Sequence, residues 1–325
     1  MKRIAYFDNA KGILILFIIL AHVLSLSSSY YNYNDDFFKF ASFFMLQCFF
    51  FISAYFSSKA KTPRSIKIFK LLKTYLLWQT IITLYYAFIL HIVEFNFNYL
   101  IPRYTLWFLI SMMTYNLSEI ILEKTSYKIM IPISFVLGLI AGFFPFIGET
   151  LSLSRSFVFF PFYVLGYYAQ KTNLLTLIQS KKIKIITISI SCIILLLILK
   201  YDNLLPLKIL KGKFSYFDIN SANLLLGLTQ RIIFYILSII VSIAFFNLIP
   251  KKESSLTILG RNTLYIYLTQ GMILKTFVTE KILLDNRVVG TLLLFFLAFI
   301  LTILFTKVIK KIQQLTKYRM EVVNG

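Results

Sequence analysis

The sequence predicts an all-α, polytopic integral membrane protein with about ten transmembrane helices and both termini in the cytoplasm. Three observations support this fold class: the composition, the recurrence of apolar runs and the placement of basic residues. Of the 325 residues, 58% are hydrophobic and only 14% are charged, and the mean hydropathy is +0.78. Soluble globular domains are less apolar and carry about 25% charged residues. We therefore expect a single transmembrane domain over residues 1–325.

Apolar runs that approach the length of a membrane span recur along the whole chain. A helix needs about 20 predominantly apolar residues to cross the hydrocarbon core. Ten runs qualify, at residues 12–27, 37–56, 67–92, 100–122, 129–147, 157–170, 183–200, 224–249, 258–277 and 288–309. Two of them are interrupted or short: the fifth contains Gly142 and Pro145, and the sixth is short and contains Pro161. We interpret these two as candidates for broken helices around a cavity.

The basic residues predict the orientation of the bundle. Cytoplasmic loops of membrane proteins carry an excess of lysine and arginine. With the N-terminus in the cytoplasm, 23 of the 34 Lys and Arg residues fall in segments that face the cytoplasm. The net charge of +21 then reflects anchoring at the membrane, and we expect no nucleic-acid partner. The sequence has no zinc-type or CxxC spacing, so we expect no metal site.

An ionisable residue, His22, lies in the first apolar run. Such residues are costly in a membrane and usually face a polar cavity. Lys11 precedes His22 by eleven residues, about 16 Å and three turns of a helix, so both lie on one face. Asp8 is one turn before Lys11 and can pair with it. We predict that His22 marks a pathway or a reaction site; the alternative is a hydrogen bond between helices.

A second candidate site lies at the predicted cytoplasmic ends of two helices. Lys67, Lys70 and Lys73 recur every three residues where the third span begins, and Arg261 stands at the start of the ninth. Cations on a fixed face suit a ligand that carries phosphate, such as the nucleotide tail of an acyl carrier. The alternative is a basic anchor that only follows the positive-inside rule.

A third group of residues is predicted near the outer surface and within the ninth span. Its members are Arg103 and Trp107 at the fourth span, Glu149 and Arg155 before the sixth, and Gln270. An aromatic ring beside a guanidinium suits the face of a sugar. The structural alternatives are an interfacial tryptophan, a surface ion pair and a hydrogen bond between helices.

These segments together resemble the acyltransferase family 3 of membrane proteins, and within it the group related to fucose 4-O-acetylase. The resemblance extends over nearly the whole chain. Its motifs here are Tyr6-x-Asp8-x-x-Lys11-Gly12 with His22, Phe49-Phe-Phe-Ile-Ser-Ala-Tyr55, the basic helix from Lys67 to Lys73, Leu106-Trp-Phe-Leu109, Ser154-Arg-Ser-Phe157 with Phe160-Pro-Phe162 and Gly166, and Leu259-Gly-Arg-Asn-Thr-Leu-Tyr-Ile-Tyr267. The basic-x10-His motif of the family falls on Lys11 and His22, and Gln270 stands where the family often has histidine.

The resemblance implies an O-acyltransferase, foremost an acetyltransferase. It would move an acyl group from cytoplasmic acetyl-CoA, or another short acyl-CoA, to hydroxyls of an extracytoplasmic or lipid-linked glycan. The catalytic residues would be His22, Asp8 and Lys11, with His22 as the general base or as the group that itself accepts the acyl group. The CoA phosphates would be held by Lys67, Lys70, Lys73 and Arg261. The sugar side would be formed by Arg103, Trp107, Glu149, Arg155 and Gln270.

The resemblance further implies that acyl-CoA is a substrate and that no cofactor is permanently bound. The partners would be membrane lipid and the glycan acceptor, and the location would be a bacterial plasma membrane. The alternative function is an exporter or flippase for a polysaccharide or a lipid-linked sugar. Such a transporter would line its path with the same polar groups and would transfer no acyl group.

Overall fold

The structure is a computed structural model, and it describes residues 4–31, 36–148, 150–201, 205–279 and 287–324. All regular secondary structure within these ranges is helical. The helices are α1 (Ala5–Tyr31), α2 (Asp36–Ala41), α3 (Met45–Ser57), α4 (Arg64–Leu84), α5 (Trp107–Lys124), α6 (Tyr127–Ile140), α7 (Leu153–Tyr168), α8 (Leu174–Ile178), α9 (Lys181–Lys200), α10 (Leu207–Lys211), α11 (Tyr216–Asn220), α12 (Leu224–Leu248), α13 (Ser255–Arg261), α14 (Thr263–Thr279) and α15 (Arg287–Asn324).

Each of the ten predicted apolar runs contains helix in the structure. Five segments are long and apolar enough to cross a membrane: Ala5–Ser25, Asp36–Ser57, Lys181–Lys200, Leu224–Leu248 and Gly290–Ile309. The prediction of a helical, membrane-spanning protein is therefore confirmed. The number of ten spans and the cytoplasmic location of the termini stay predictions.

The two candidates for broken helices differ from each other. In the fifth run, α6 ends at Ile140, and 3-10 turns over Ala141–Phe143 and Pro145–Ile147 follow, so this run is broken as predicted. In the sixth, α7 continues through Pro161, and the expectation of a break there is wrong. Pro161 is itself buried in the hydrophobic contact between α7 and its neighbours.

Two glycines fix the crossing of α1 and α13. A Cβ atom at Gly12 would overlap the carbonyl oxygen of Leu256, and one at Gly260 would overlap the carbonyl oxygen of Asp8. The two backbones can approach this closely because glycine has no side chain. The crossing brings Asp8 next to Arg261. We call this end of the bundle, where α1 begins, the N-terminal end, and the other the opposite end.

Aromatic side chains fill the interior between α3, α5 and α7. Gly166 lets α7 approach the backbone of Phe51 on α3. Phe50 stacks on Phe108 with ring centroids 4.6 Å apart and on Phe159 at 5.8 Å. Such offset and tilted ring pairs stabilise a packed core beyond simple burial. This core supports the helix ends that surround the candidate site.

Candidate functional site

His22 lies in a cavity at the opposite end of the bundle, which we call the His22 cavity. Its volume is about 410 Å³. The charged and aromatic residues that line it come from α1, α2, the start of α5 with the residues before it, α7, the end of α10 with the residues after it, and α14. They are His22, Phe38, Tyr104, Trp107, Arg155, Lys211, Lys213 and Tyr267. The prediction that His22 faces a polar cavity matches this placement.

Two residues that differ in polarity lie next to the imidazole of His22. The ring of Tyr104 lies 5.3 Å from the imidazole, centroid to centroid, at an angle of 55°. The carboxamide of Gln270, from α14, is also close to the imidazole. Nδ1 of His22 is buried and makes no hydrogen bond of acceptable geometry. Neither side-chain atom of Gln270, which is 0% exposed, makes one. Buried polar atoms without partners are costly, and in native proteins they often lie at functional sites.

Tyr104 reaches this position through an unusual backbone conformation. Its φ angle is +48°, in the left-handed region that non-glycine residues rarely adopt. Its ring packs onto Gly271 of α14, where a Cβ atom would overlap the ring. The strained backbone and the glycine together place a phenol ring against His22. The sequence analysis did not identify Tyr104, because its backbone conformation and its contact with α14 depend on segments that are distant in the sequence.

Arg155 and Trp107 form one wall of the His22 cavity. The guanidinium of Arg155 lies 4.6 Å from the centre of the Trp107 ring, within the range of a cation–π interaction. Nε of Arg155 donates a hydrogen bond to the carbonyl oxygen of Lys211, at 3.3 Å, and Oγ of Ser154 donates one to Gly212, at 2.9 Å. These bonds fix the start of α7 against the end of α10. The structure thus brings Trp107 and Arg155 together and places Lys211 and Lys213 at the same cavity.

Arg103, also predicted for the sugar side, does not line this cavity. Nε of Arg103 donates to Oγ1 of Thr83 at 2.8 Å, and its side chain lines a neighbouring pocket of about 520 Å³ together with Lys275. Tyr104 lies between this pocket and the His22 cavity, since it lines both. The grouping of Arg103 with Arg155 was wrong. Glu149 lies outside the described residues.

Asp8 and Lys11 lie at the N-terminal end, far from His22. Nζ of Lys11 is 2.7 Å from Oδ1 of Asp8, and Nε of Arg261 is 3.6 Å from Oδ2. Arg261 also pairs with Glu253 at 2.7 Å. The predicted pairing of Asp8 with Lys11 is confirmed. Since eleven residues of helix separate Lys11 from His22, about 16 Å, these charges act on the structure of the α1–α13 crossing and do not touch the imidazole.

The lysines of α4 do not form one row. Nζ of Lys67 turns towards α5 and α3, and donates to Oε2 of Glu119 at 3.2 Å and to Oγ of Ser57 at 2.8 Å. Lys70 and Lys73 instead line a groove beside α14 and α15. Three residues turn a helix by about 300°, so Lys67 and Lys73 point about 120° apart. The predicted phosphate-binding set is therefore divided among three places, with Arg261 in the third.

Glu119 is a buried carboxylate that the sequence analysis did not single out. It is 2% exposed, and its Oε1 accepts a hydrogen bond from the Tyr163 hydroxyl at 2.7 Å. Its Oε2 accepts from Lys67 and lies 3.9 Å from Nε of Arg64. Arg64 also binds the more exposed Glu123, and this guanidinium holds the pKa of Glu123 below its usual value. A single glutamate in the fourth apolar run was the only sequence signal for this network.

Arg231 is a second buried charge that the sequence analysis passed over. It lies in α12, is 0% exposed, and none of its side-chain nitrogens makes a hydrogen bond. The ring centre of Phe234 is 5.9 Å from the guanidinium carbon. A lone arginine in the eighth apolar run was the available signal.

The arrangement is that of a helical membrane protein whose ionisable groups meet in a cavity at one end. The family profile described as "Acyltransferase domain" (Acyl_transf_3) matches residues 4–310, and the chain belongs to this family. It is a membrane acyltransferase. Comparisons with curated proteins and with solved structures found no match.

Proposed function

We propose that the protein is an O-acyltransferase, foremost an O-acetyltransferase, that moves an acyl group from cytoplasmic acyl-CoA to a hydroxyl of an extracytoplasmic or lipid-linked glycan. The observation that carries the proposal is the position of His22 in a cavity whose wall combines Trp107 and Arg155. A base, an aromatic ring and a cation around one cavity are the groups that bind a sugar and activate its hydroxyl. The proposed location is a bacterial plasma membrane.

In the proposed reaction, His22 is the general base. As the acceptor oxygen attacks the thioester carbonyl carbon, its proton passes to the imidazole, the new C–O bond forms and the C–S bond breaks. The imidazolium then protonates the departing CoA thiolate, so the base is restored. In a two-step version of the same chemistry, the imidazole first takes the acyl group and then passes it to the hydroxyl. Gln270 can orient the imidazole through a hydrogen bond and cannot carry the proton.

Trp107 and Arg155 are proposed to hold the acceptor. The indole offers a flat apolar face to the C–H groups of a sugar ring, and the guanidinium beside it offers donors to sugar oxygens. Lys211 and Lys213 extend the polar wall of the same cavity. The hydrogen bond from Arg155 to the Lys211 carbonyl keeps the guanidinium in place before the acceptor arrives.

The binding site for the acyl-CoA donor is proposed at the N-terminal end of the bundle. The four cations predicted to bind phosphate are Lys67, Lys70, Lys73 and Arg261. Lys67 and Arg261 are engaged in ion pairs with Glu119, Asp8 and Glu253. Lys70 and Lys73 have no such partner among the described residues, so they are the pair proposed to meet the CoA phosphates. Their groove and the His22 cavity lie on opposite faces of α14. The thioester of a donor bound at Lys70 and Lys73 would therefore have to pass α14, or follow a path along α1, to reach His22.

The test uses cells that make the modified glycan and lack this protein. They are complemented with the intact chain, with His22→Gln, or with His91→Gln as the matched control, since His91 is the second histidine and is exposed. Ester-linked acyl groups and total glycan are measured on each. We expect the ester to be lost without the protein and with His22→Gln, at unchanged glycan amount, and to be restored by the intact chain and by His91→Gln.

The same experiment separates acyl transfer from export. Loss of the glycan itself, restored equally by His22→Gln, would show a transporter that needs no proton-handling residue at this position. In that case the proposed reaction is wrong, although membership of the family stands.

A further inference from the structure

A long apolar groove runs along one side of the bundle, which we call the lateral groove. It lies between α4, α14 and α15 and has a volume of about 1020 Å³. Its wall is formed by leucine, isoleucine and aromatic side chains with a few hydroxyls. Leu77 and Val308 are each 55% exposed, so the groove opens at the surface of the bundle. In a membrane-spanning protein, that surface faces lipid.

Two lysines mark one end of the lateral groove. Lys70 and Lys73 line it at the N-terminal end and are exposed. Their ammonium groups make no hydrogen bond and no ion pair with any residue that the structure describes. Lysine can lay its aliphatic stem along an apolar wall and keep its charge at the membrane surface. The groove therefore has a positive mouth and an apolar body.

The length of the lateral groove matches one leaflet of a bilayer. From Lys73 to Tyr85 along α4 is twelve residues, about 18 Å. This is slightly more than half of the roughly 30 Å hydrocarbon core of a bilayer. At the far end the hydroxyls of Tyr85 and Thr276, both in the groove wall, lie 2.6 Å apart. This hydrogen bond joins α4 to α14 where the groove ends.

We propose that the lateral groove binds an anionic phospholipid of the leaflet next to the N-terminal end, with the phosphate between Lys70 and Lys73 and an acyl chain along Leu77, Trp78 and Ile81. A phosphate is also present in CoA. The groove body favours the lipid because it is apolar, opens sideways to the bilayer and has the depth of one leaflet. The lipid site does not depend on the proposed reaction. Because Lys70 and Lys73 are also the pair proposed to meet the CoA phosphates, lipid and acyl-CoA would exclude each other at this mouth.

The two tryptophans of the chain make the lipid site measurable. Trp78 lies in the lateral groove and Trp107 in the His22 cavity. In the Trp107→Phe protein, reconstituted in vesicles, Trp78 is the only tryptophan. Its fluorescence is measured with phosphatidylglycerol or phosphatidylcholine whose chains carry bromine, a contact quencher. We expect the relative binding constant to favour the anionic lipid by about 30-fold, the preference of two lysines at an anionic lipid surface.

A charge-matched pair of variants controls this measurement. Lys70→Gln with Lys73→Gln should abolish the preference for phosphatidylglycerol. Lys181→Gln with Lys184→Gln removes the same charge from exposed positions at the start of α9 and should leave the preference unchanged. Circular dichroism and gel filtration of both double variants check that they are folded.

Three outcomes would overturn the proposal. Equal quenching by the two lipids would show an ordinary bilayer surface, and equal loss in both double variants would show a general charge effect. The third outcome is a Trp78 signal that responds to CoA, depends on Lys70 and Lys73, and is unaffected by the brominated lipids. That result would assign the two lysines to the donor alone.

Discussion

The two ends of α1 differ in whether their buried polar groups have a partner of opposite charge. At the N-terminal end, Asp8 lies between Lys11 at 2.7 Å and Arg261 at 3.6 Å, so its carboxylate has two ion pairs although Oδ2 makes no hydrogen bond. At the opposite end, Nδ1 of His22 and both carboxamide atoms of Gln270 are buried without hydrogen bonds. Paired charges hold helices together, whereas unpaired buried atoms are costly unless a ligand completes them. We therefore interpret the charges around Asp8 as a structural cluster and the residues around His22 as a reactive cluster.

Glu119 extends the structural cluster and gives the largest expected change in stability. Replacing it with alanine leaves Lys67 and the Tyr163 hydroxyl without their shared acceptor in a buried place. Breaking one partner of such a buried pair typically costs about 3–5 kcal/mol. Glu119→Ala should therefore lower the thermal unfolding midpoint in detergent strongly.

Glu123 is the matched control for this variant, because it binds the same Arg64 from a more exposed position. Exposed ion pairs contribute about 0–1 kcal/mol. Glu123→Ala should barely change the midpoint. An equal drop in both variants would mean that burial of Glu119 is not what stabilises this network, and the comparison of paired and unpaired clusters would lose its clearest example.

Substitution of Gly271 tests whether acyl transfer depends on the position of the Tyr104 ring beside His22. Gly271→Ala places a methyl group in the space of the Tyr104 ring, so the ring, which lies beside His22, must move from its position against α14. A displacement of about 1 Å can reduce an enzymatic rate by up to about 10²-fold. We expect a fall of this order in acyl transfer per folded molecule, measured as CoA thiol release, and a lower thermal midpoint, since an added methyl group in a packed place costs about 1–3 kcal/mol. An unchanged rate would show that Tyr104 has no part in orienting His22.

A smaller effect is expected at the capping box of α11, which supports the loop that carries Lys213. The hydroxyl of Ser215 donates to Asp218 at 2.7 Å and its backbone N–H donates at 2.9 Å. These bonds lower the pKa of Asp218 below its usual value. The folded state is thus favoured at pH values above that usual value, about 4, and loses this contribution as the pH falls below it.

Ser215→Ala should cost about 1 kcal/mol at neutral pH, the usual value of such a cap. The difference in thermal midpoint between this variant and the intact chain should shrink when the pH is lowered from 7 to 3. A difference that stays constant over this range would show that the charge of Asp218 does not stabilise the cap.

Part of this architecture follows from the sequence by itself. The apolar runs locate α1, α9 and α12, since length and hydropathy are local properties. His22 and its cavity follow from the cost of an ionisable group in a membrane. The pairing of Asp8 with Lys11 follows from a spacing of one helical turn.

The rest depends on contacts between distant segments. Lys67 differs from Lys70 because Glu119, 52 residues away, lies on its side of α4. Arg103 lies outside the His22 cavity. Its guanidinium donates a hydrogen bond to Thr83, and the adjacent Tyr104 has a left-handed backbone conformation. No spacing within one helix encodes these partners. Pro161 was expected to break a helix, but α7 remains continuous through it.

The most direct test of the account compares His22→Gln with Asp8→Asn in the purified, reconstituted protein, using CoA release for activity and thermal unfolding for stability. General base catalysis contributes about 10²–10⁴-fold. We predict that His22→Gln loses activity by this factor at an unchanged midpoint, and that Asp8→Asn lowers the midpoint while each folded molecule keeps most of its activity. The opposite pattern, a stable but inactive Asp8→Asn and an active His22→Gln, would contradict the account.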